Sequence, residues 1–361
     1  MRKALIAIVA MMAAGPAWAQ PAPTTVVNVV QLGADPTGVG DSAPAFRKAV
    51  ASNRKVIVPA GRYRFKSTVS PPCCAMDRAA VLVTGQANFA VAGQGAATIF
   101  ADPSIALSSL FHFDQDKRFS LAGLTLRGDR TGLGPTQENV GIAFTSDTDI
   151  SVQRLTFQGG FGGEGAGIAG DWLVRARFSR LTFDGVGQCF DVAFLKLVTI
   201  DHLVGRGAGA PGGLGSGAKC ISVINDKPNA ATNHTGVAYD ASNGVWVRNA
   251  DVSGFVTGAY LASGTNITFS ANVWHDNVQA GGHGVGVFVE RAASGPFASE
   301  AHPPGRITIT GDRFENNTGA AGECDVLIGV PGRSDPPLEQ GVTIHKAPGA
   351  TPATKTDPAC R

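Results

Sequence analysis

A ten-position pattern of apolar and polar residues returns seven times along the chain. It runs apolar, any, apolar, any, any, Leu or a small residue, any, mostly apolar, any, and then Gly, Asp or Asn. The copies are FSLAGLTLRG from Phe119, ISVQRLTFQG from Ile150, ARFSRLTFDG from Ala176, VTIDHLVGRG from Val198, VWVRNADVSG from Val245, ITFSANVWHD from Ile267 and ITITGDRFEN from Ile307. Alternation of period two predicts short strands with one apolar side, and the closing Gly, Asp or Asn predicts a turn. The starts lie 31, 26, 22, 47, 22 and 40 residues apart. Steps of 22 and 26 read as one unit, 47 as two units with a degenerate one between, and 31 and 40 as units carrying loops.

One such unit cannot bury its own apolar side, so the units must stack and share a core. The prediction is an all-β chain, a single-stranded right-handed parallel β-helix. A leucine-rich repeat is excluded because its Leu-x-x-Leu-x-Leu and Asn signature is missing, and a propeller blade would need roughly 40 to 45 residues with hairpins. Stacking makes further predictions. Leu124, Leu155, Leu181 and Leu203 should form one inward ladder. Gly205 stands where six of the seven copies carry a larger apolar residue, which predicts a local irregularity. Cys189 and Cys220 open equivalent strands of neighbouring coils, within reach of a bridge, and Cys324 with Cys360 would tie the tail to the last coil.

The ends frame this repeat. MRKALIAIVAMMAAGPAWAQ has a basic start, an apolar run from Ala4 to Ala14 and an Ala-x-Ala site, and reads as a signal peptide over residues 1–19. The protein is therefore expected to be secreted or periplasmic after cleavage near Ala19. A leader over 20–25, a β-helix domain over 26–347 and an irregular tail over 348–361 follow. Without Arg2 and Lys3 the chain has 28 basic and 28 acidic residues, so charge calls for neither nucleic acid nor an anionic membrane. No later stretch is long and apolar enough to span a membrane. Asp41 or Ser42, with Pro44 behind, predicts the start of a short helix whose Phe46, Ala49 and Val50 would cap the open core.

VNVVQLGADPTGVGDSAPAFRKAV, followed by VIVPAGRYRF, resembles the amino-terminal block of the pectate lyase superfamily, the rhamnogalacturonase and epimerase-like β-helices. The resemblance is close over Val26 to Phe65, although the family's Asp-Gly step is stretched here by Pro36 and Thr37. It implies an exported carbohydrate-active protein acting on an acidic polysaccharide as lyase or glycoside hydrolase. The alternative is a non-catalytic glycan-binding or cell-surface structural β-helix. AKCISVIND from Ala218 and GGHGVGV from Gly281 are similar to two blocks of the polygalacturonase branch, but Ala218 and Lys219 occupy the positions of its aspartate pair. In that branch the acidic residues sit on, or just before, the strands equivalent to GIAF from Gly141, GIAG from Gly167, CFDV from Cys189, CISV from Cys220, GVAY from Gly236, GAYL from Gly258, GVGVFV from Gly284 and DVLI from Asp325. Period two aims Asp191, Ser222 and Tyr260 outward on one surface, Lys219 and His283 lie just before their strands and Asp240 just after its own, and only His283 matches a motif of the branch directly. The candidate catalytic set is Asp191, Lys219, Asp240 and His283, with Tyr260 binding substrate. Asp184 and Arg206, at the ninth position of their phrases, are further sugar-binding candidates. No cofactor is indicated except Ca2+ for a lyase, and polysaccharide is the expected partner.

Overall fold

A computed structural model of the chain describes residues 23–70, 78–105, 107–128, 139–161, 166–208, 218–224, 242–279, 284–289, 304–319, 322–328, 342–345 and 356–357. The chain winds as a right-handed parallel β-helix. Its described strands form a 16-stranded sheet that carries the repeated phrases and a 12-stranded sheet made from the strands between them. Phrase starts stack directly: Phe119 pairs with Ile150, Ile150 with Ala176, Val198 with Val245, Val245 with Ile267 and Ile267 with Ile307. The pairing of Val198 with Val245 corrects one expectation. The 47-residue step is a single coil with inserted loops, because Lys196–Gly207 pairs directly with Asn243–Arg248 and the one described strand between them, Lys219–Ile224, belongs to the 12-stranded sheet. Val342–His345 stacks on Ile307–Thr310, and Thr356–Asp357 in the tail pairs with Val326–Leu327.

Each phrase is two strand arms joined at a corner. Its fifth residue has positive φ in all seven copies: Gly123, Arg154, Arg180, His202, Asn249, Ala271 and Gly311, between 53° and 68°. The residue before each phrase does likewise, from Arg118 to Arg306. For non-glycine residues this conformation costs about 1–2 kcal/mol each, a penalty that the stacked arms on either side offset. The closing residues Gly159, Gly185, Gly254, Asp276 and Asn316 also have positive φ, as the turn reading requires.

The helix Ala43–Ala49 covers the amino-terminal end of the core. Phe46 is fully buried, with its ring edge-on to Tyr63 at 5.6 Å and Phe65 at 5.1 Å. The Asp41 carboxylate accepts the Ala43 N–H, while Ser42 is spent on the Asp35 backbone. Asp35 explains the stretched step: its carboxylate accepts N–H groups of Thr37, Val39 and Gly40 and the Thr37 hydroxyl. Those bonds, that from Gly40 first, hold it down at about 2.

Inside, Leu124, Leu155, Leu181 and Leu203 form the expected buried ladder. It continues through Ala250, Asn272 and Asp312, where the core turns polar. Ala250 N–H donates to Asn272 Oδ1 and Asn272 N–H to Asp312 Oδ1, and Trp274 Nε1 donates to Asp312 Oδ2 at 2.8 Å. Burial pushes the Asp312 carboxyl up.

The eighth phrase position supplies rings that need room opposite. Phe183 lies against Gly167 and Trp274 against Gly258, where a Cβ would collide with the ring. At Gly205 the roles reverse. The Cys189–Cys220 disulfide is formed, Cα to Cα 4.5 Å, and a Cβ on Gly205 would lie 2.6 Å from Cys220 Sγ and 3.3 Å from Cys189 Sγ. The expected irregularity falls in this coil, just past Gly205. Phe183, Gly205 and Val252 stay in register because the bridge fills the space a ring takes elsewhere, and the shift comes later, between Asp184 and Val186. The proposed pairing with Cys360 lies outside the described residues.

A second polar ladder sits at the turn into the phrases. Gln86 N–H donates to Asp116 Oδ1 at 2.5 Å, Asp116 N–H to Asp147 Oδ1 at 2.7 Å and Thr145 N–H to Asp147 Oδ2 at 3.1 Å. Both aspartates are fully buried. Burial pushes the Asp116 carboxyl up to about 7. Burial, and then the neighbouring Asp116, raise Asp147 well above the ordinary range. The folded state therefore binds more protons than the unfolded chain between about pH 4 and pH 7, so stability falls as pH rises through that window. We expect the thermal midpoint to be lower at pH 8 than at pH 5 by an amount equivalent to roughly 2–4 kcal/mol. The Asp116→Asn/Asp147→Asn variant should lose most of that slope; an unchanged slope would contradict this account.

Candidate functional site

The 12-stranded sheet presents its outer side in two lines. The first runs His112, Ala143, Ala169, Asp191, Ser222, Tyr260 and Phe288 through direct register partners. The second, two residues further along each strand, runs Asp114, Thr145, Asp171, Ala193 and Ile224. Period two puts both on the same face. At the end of the second line Trp172 stacks on Phe194 at 4.9 Å, burying Ala193 and packing against Ile224, and forms a wall.

Asp171 pairs with Ala193, two residues after Asp191, so the two aspartates are diagonal neighbours on adjacent coils. One strand spacing and two residues of rise put their Cα atoms about 8 Å apart. Both are partly exposed. Further along the axis, Lys219 Nζ sits 3.4 Å from the Tyr260 ring centroid, and Tyr260 meets Phe288 edge-on at 5.5 Å. At the other end His112 Nε2 lies 3.1 Å from Thr145 Oγ1. The face thus offers two carboxylates at diagonal spacing, then a cation resting on an aromatic ring. Chemically, a carboxylate pair can supply one acid and one base, and a cation–aromatic pair can hold an anionic sugar.

The structure brings Asp191, Lys219 and Tyr260 to this one face, as the sequence implied. Asp240 and His283 lie outside the described residues. Asp184 and Arg206 are register partners on the 16-stranded sheet and do not join the groove. Arg206 spends its fork on Asp251, with bonds of 2.9 and 2.8 Å. Asp251 also meets His275 Nε2 at 2.9 Å, and His275 Nδ1 meets Asp276 at 2.6 Å. Arg206 holds the Asp251 carboxyl below the ordinary range, and His275 does so for Asp276. This network ties three coils together and leaves the Arg206 fork occupied. Asp171 was missed by sequence reasoning because it stands one residue past the short GIAG strand; extending the alternation from Ala169 would have found it. Among the described residues no group of three or more His, Cys, Asp or Glu side chains converges as a metal site.

The geometry defines the class, a right-handed parallel β-helix, and solved structures of that class resemble it. The tailspike protein of Escherichia coli bacteriophage HK620, solved with a pentasaccharide, aligns over 91% of this chain and 64% of its own, with TM-score 0.59 and 13% identity. A 1,3-α-1,4-β-D-galactose-4-sulfate-3,6-anhydro-D-galactose-2-sulfate 4 galactohydrolase aligns over 93% and 91%, with TM-score 0.56 and 10% identity. PfbA, a surface adhesin of Streptococcus pneumoniae, aligns over 89% and 76%, with TM-score 0.56 and 13% identity. The chain spans less than two thirds of the tailspike's length. No family model and no curated protein matches the sequence. At these identities the likeness is one of fold.

Proposed function

We propose that this is an exported carbohydrate-active β-helix protein that holds an acidic polysaccharide along the groove of the 12-stranded sheet and hydrolyses it. The observation that carries the reading is the diagonal pair Asp171 and Asp191 on one outer face. Inverting glycoside hydrolysis needs two carboxyl groups about 6.5–9.5 Å apart, one to protonate the leaving oxygen and one to activate water. Lys219 and Tyr260, on the following coils, offset the substrate's negative charge and offer a ring to a sugar face. The polysaccharide-acting and pentasaccharide-bound neighbours support the substrate class. The signal-like start and the Cys189–Cys220 bridge support an oxidising compartment outside the cytosol. No helix of the described residues is long and apolar enough to cross a membrane.

The test is digestion of polygalacturonate, alginate and carrageenan by the full chain. New reducing ends without unsaturated products are expected. Unsaturated products would replace hydrolysis with β-elimination, and a folded protein that cleaved none would favour the non-catalytic binding module.

A further inference from the structure

Around the fold from the groove, the first arms of the phrases carry a different surface. Arg177, Thr199 and Trp246 are stacked register partners, and Ser179, Asp201 and Arg248 form the parallel line two residues on. Trp246 is 39% exposed and Leu197 53%, both large apolar side chains open to solvent. They meet over Gly244, where a Cβ would lie 3.2 Å from each, and so make a small apolar shelf. Beside it Asp201 is held down by four groups. Arg248 donates to it at 3.1 Å, Asn249 at 3.0 Å, His202 Nδ1 lies at 2.7 Å and Arg177 at 3.8 Å. The carboxylate is thereby neutralised, while the Arg177 and His202 side chains remain more than half exposed.

Charge on these arms is one-sided. From the phrase of Phe119 to that of Val245, the first arms with their two corners contain six Arg and two Asp. Both aspartates, Asp149 and Asp201, are bound by arginine. Arg154 and Arg180 project from the positive-φ corners into solvent. A surface of this kind combines an aromatic shelf with a surplus of cations.

We propose that these arms form a second glycan-binding platform, separate from the groove, for an anionic polysaccharide. A sugar face stacks on Trp246, and sulfate or carboxylate groups pair with Arg177, whose side chain stays open while Arg248 is held by Asp201. Coils repeat about every 4.8 Å, so Arg177 and Trp246, two coils apart, are separated by roughly 10 Å along the axis, a span that engages more than one sugar of a chain. The platform gives the protein a grip on the polymer that does not depend on cleavage.

The experiment measures binding of the full chain to immobilised carrageenan (sulfated), polygalacturonate (carboxylated) and neutral dextran. Binding to one or both anionic polymers but not to dextran is expected, weakening with salt because exposed charges are screened. Trp246→Ala and Arg177→Gln should each weaken it by about tenfold, a loss of 1.4 kcal/mol, and Trp246→Phe should keep most of it. Arg127→Ala, on the second arm of its phrase and outside both surfaces, should leave the binding intact. Parent-like binding by Trp246→Ala and Arg177→Gln, with binding lost in Tyr260→Ala, would overturn the platform and keep the groove. Binding weakened in the first two is the result the platform predicts, whatever the effect of Tyr260→Ala. A parent that bound neither anionic polymer, or bound dextran equally, would overturn the platform, while the digestion assay decides the groove separately.

Discussion

Asp171→Asn and Asp191→Asn are each expected to lower the rate of polysaccharide cleavage by about 10²–10⁴, the usual cost of losing a general acid or base. The reason is the arrangement of two outer side chains on adjacent parallel strands. Asp171 is in register with Ala193, two residues beyond Asp191, so the two Cα atoms stand about 8 Å apart on one face, and inverting hydrolysis calls for carboxyl groups about 6.5–9.5 Å apart. Asparagine keeps the size and polarity of each side chain but neither carries the charge nor exchanges the proton. Both positions are partly exposed, so the fold should tolerate the change, and the kinetic effect should appear without a matching loss of stability. Arg127→Ala, on the exposed flank of the other sheet, is the comparison and should cleave as the parent does. The diagnostic measurement is kcat against KM on whichever polymer is cleaved. A parent-like kcat in both asparagine variants would remove the pair from the chemistry.

The second large effect concerns stability, at the coil where the core is crossed by a bridge. Cys189→Ala/Cys220→Ala is expected to cost about 3–4 kcal/mol, since the bridge closes a sequence separation of 31 residues. Gly205→Val in the bridged protein is expected to cost about 1–3 kcal/mol through overpacking, because its Cβ would sit against both sulfur atoms. The two changes should not add. Without the sulfur atoms the space beside Gly205 is open, and the next phrase already carries Val252 at the same register. Gly205→Val should therefore be neutral or stabilising in the Cys189→Ala/Cys220→Ala background, a coupling that a double-mutant cycle reads directly. Chemical denaturation of the four proteins supplies the numbers. A valine penalty that is the same with and without the bridge would refute the exchange of ring for disulfide.

The sequence by itself determined the solenoid, the parallel stacking, the capping helix, the leucine ladder and the Cys189–Cys220 bridge. Each follows from a pattern local to the chain: period two fixes which residues face inward, the repeat fixes which strands neighbour one another, and a capping motif needs only a few consecutive residues. Asp191, Lys219 and Tyr260 were legible for the same reason, since each lies at or beside a strand whose alternation could be read. Only the tertiary structure decided the rest. The corner at the fifth phrase position was hidden because the fold, rather than residue type, imposes positive φ there: Arg154, Arg180 and His202 adopt it alongside Gly123 and Gly311. The single coil between Val198 and Val245 depended on how loops are accommodated, which spacing cannot reveal. Gly205 looked like a defect until the bridge was seen to occupy its space. Asp171 met Asp191, Arg206 was claimed by Asp251 and His275, and Trp246 came to lie among arginines through pairings across 20 to 69 residues of sequence. Such contacts are set by the register of whole coils, and register is a collective property of the stacked core.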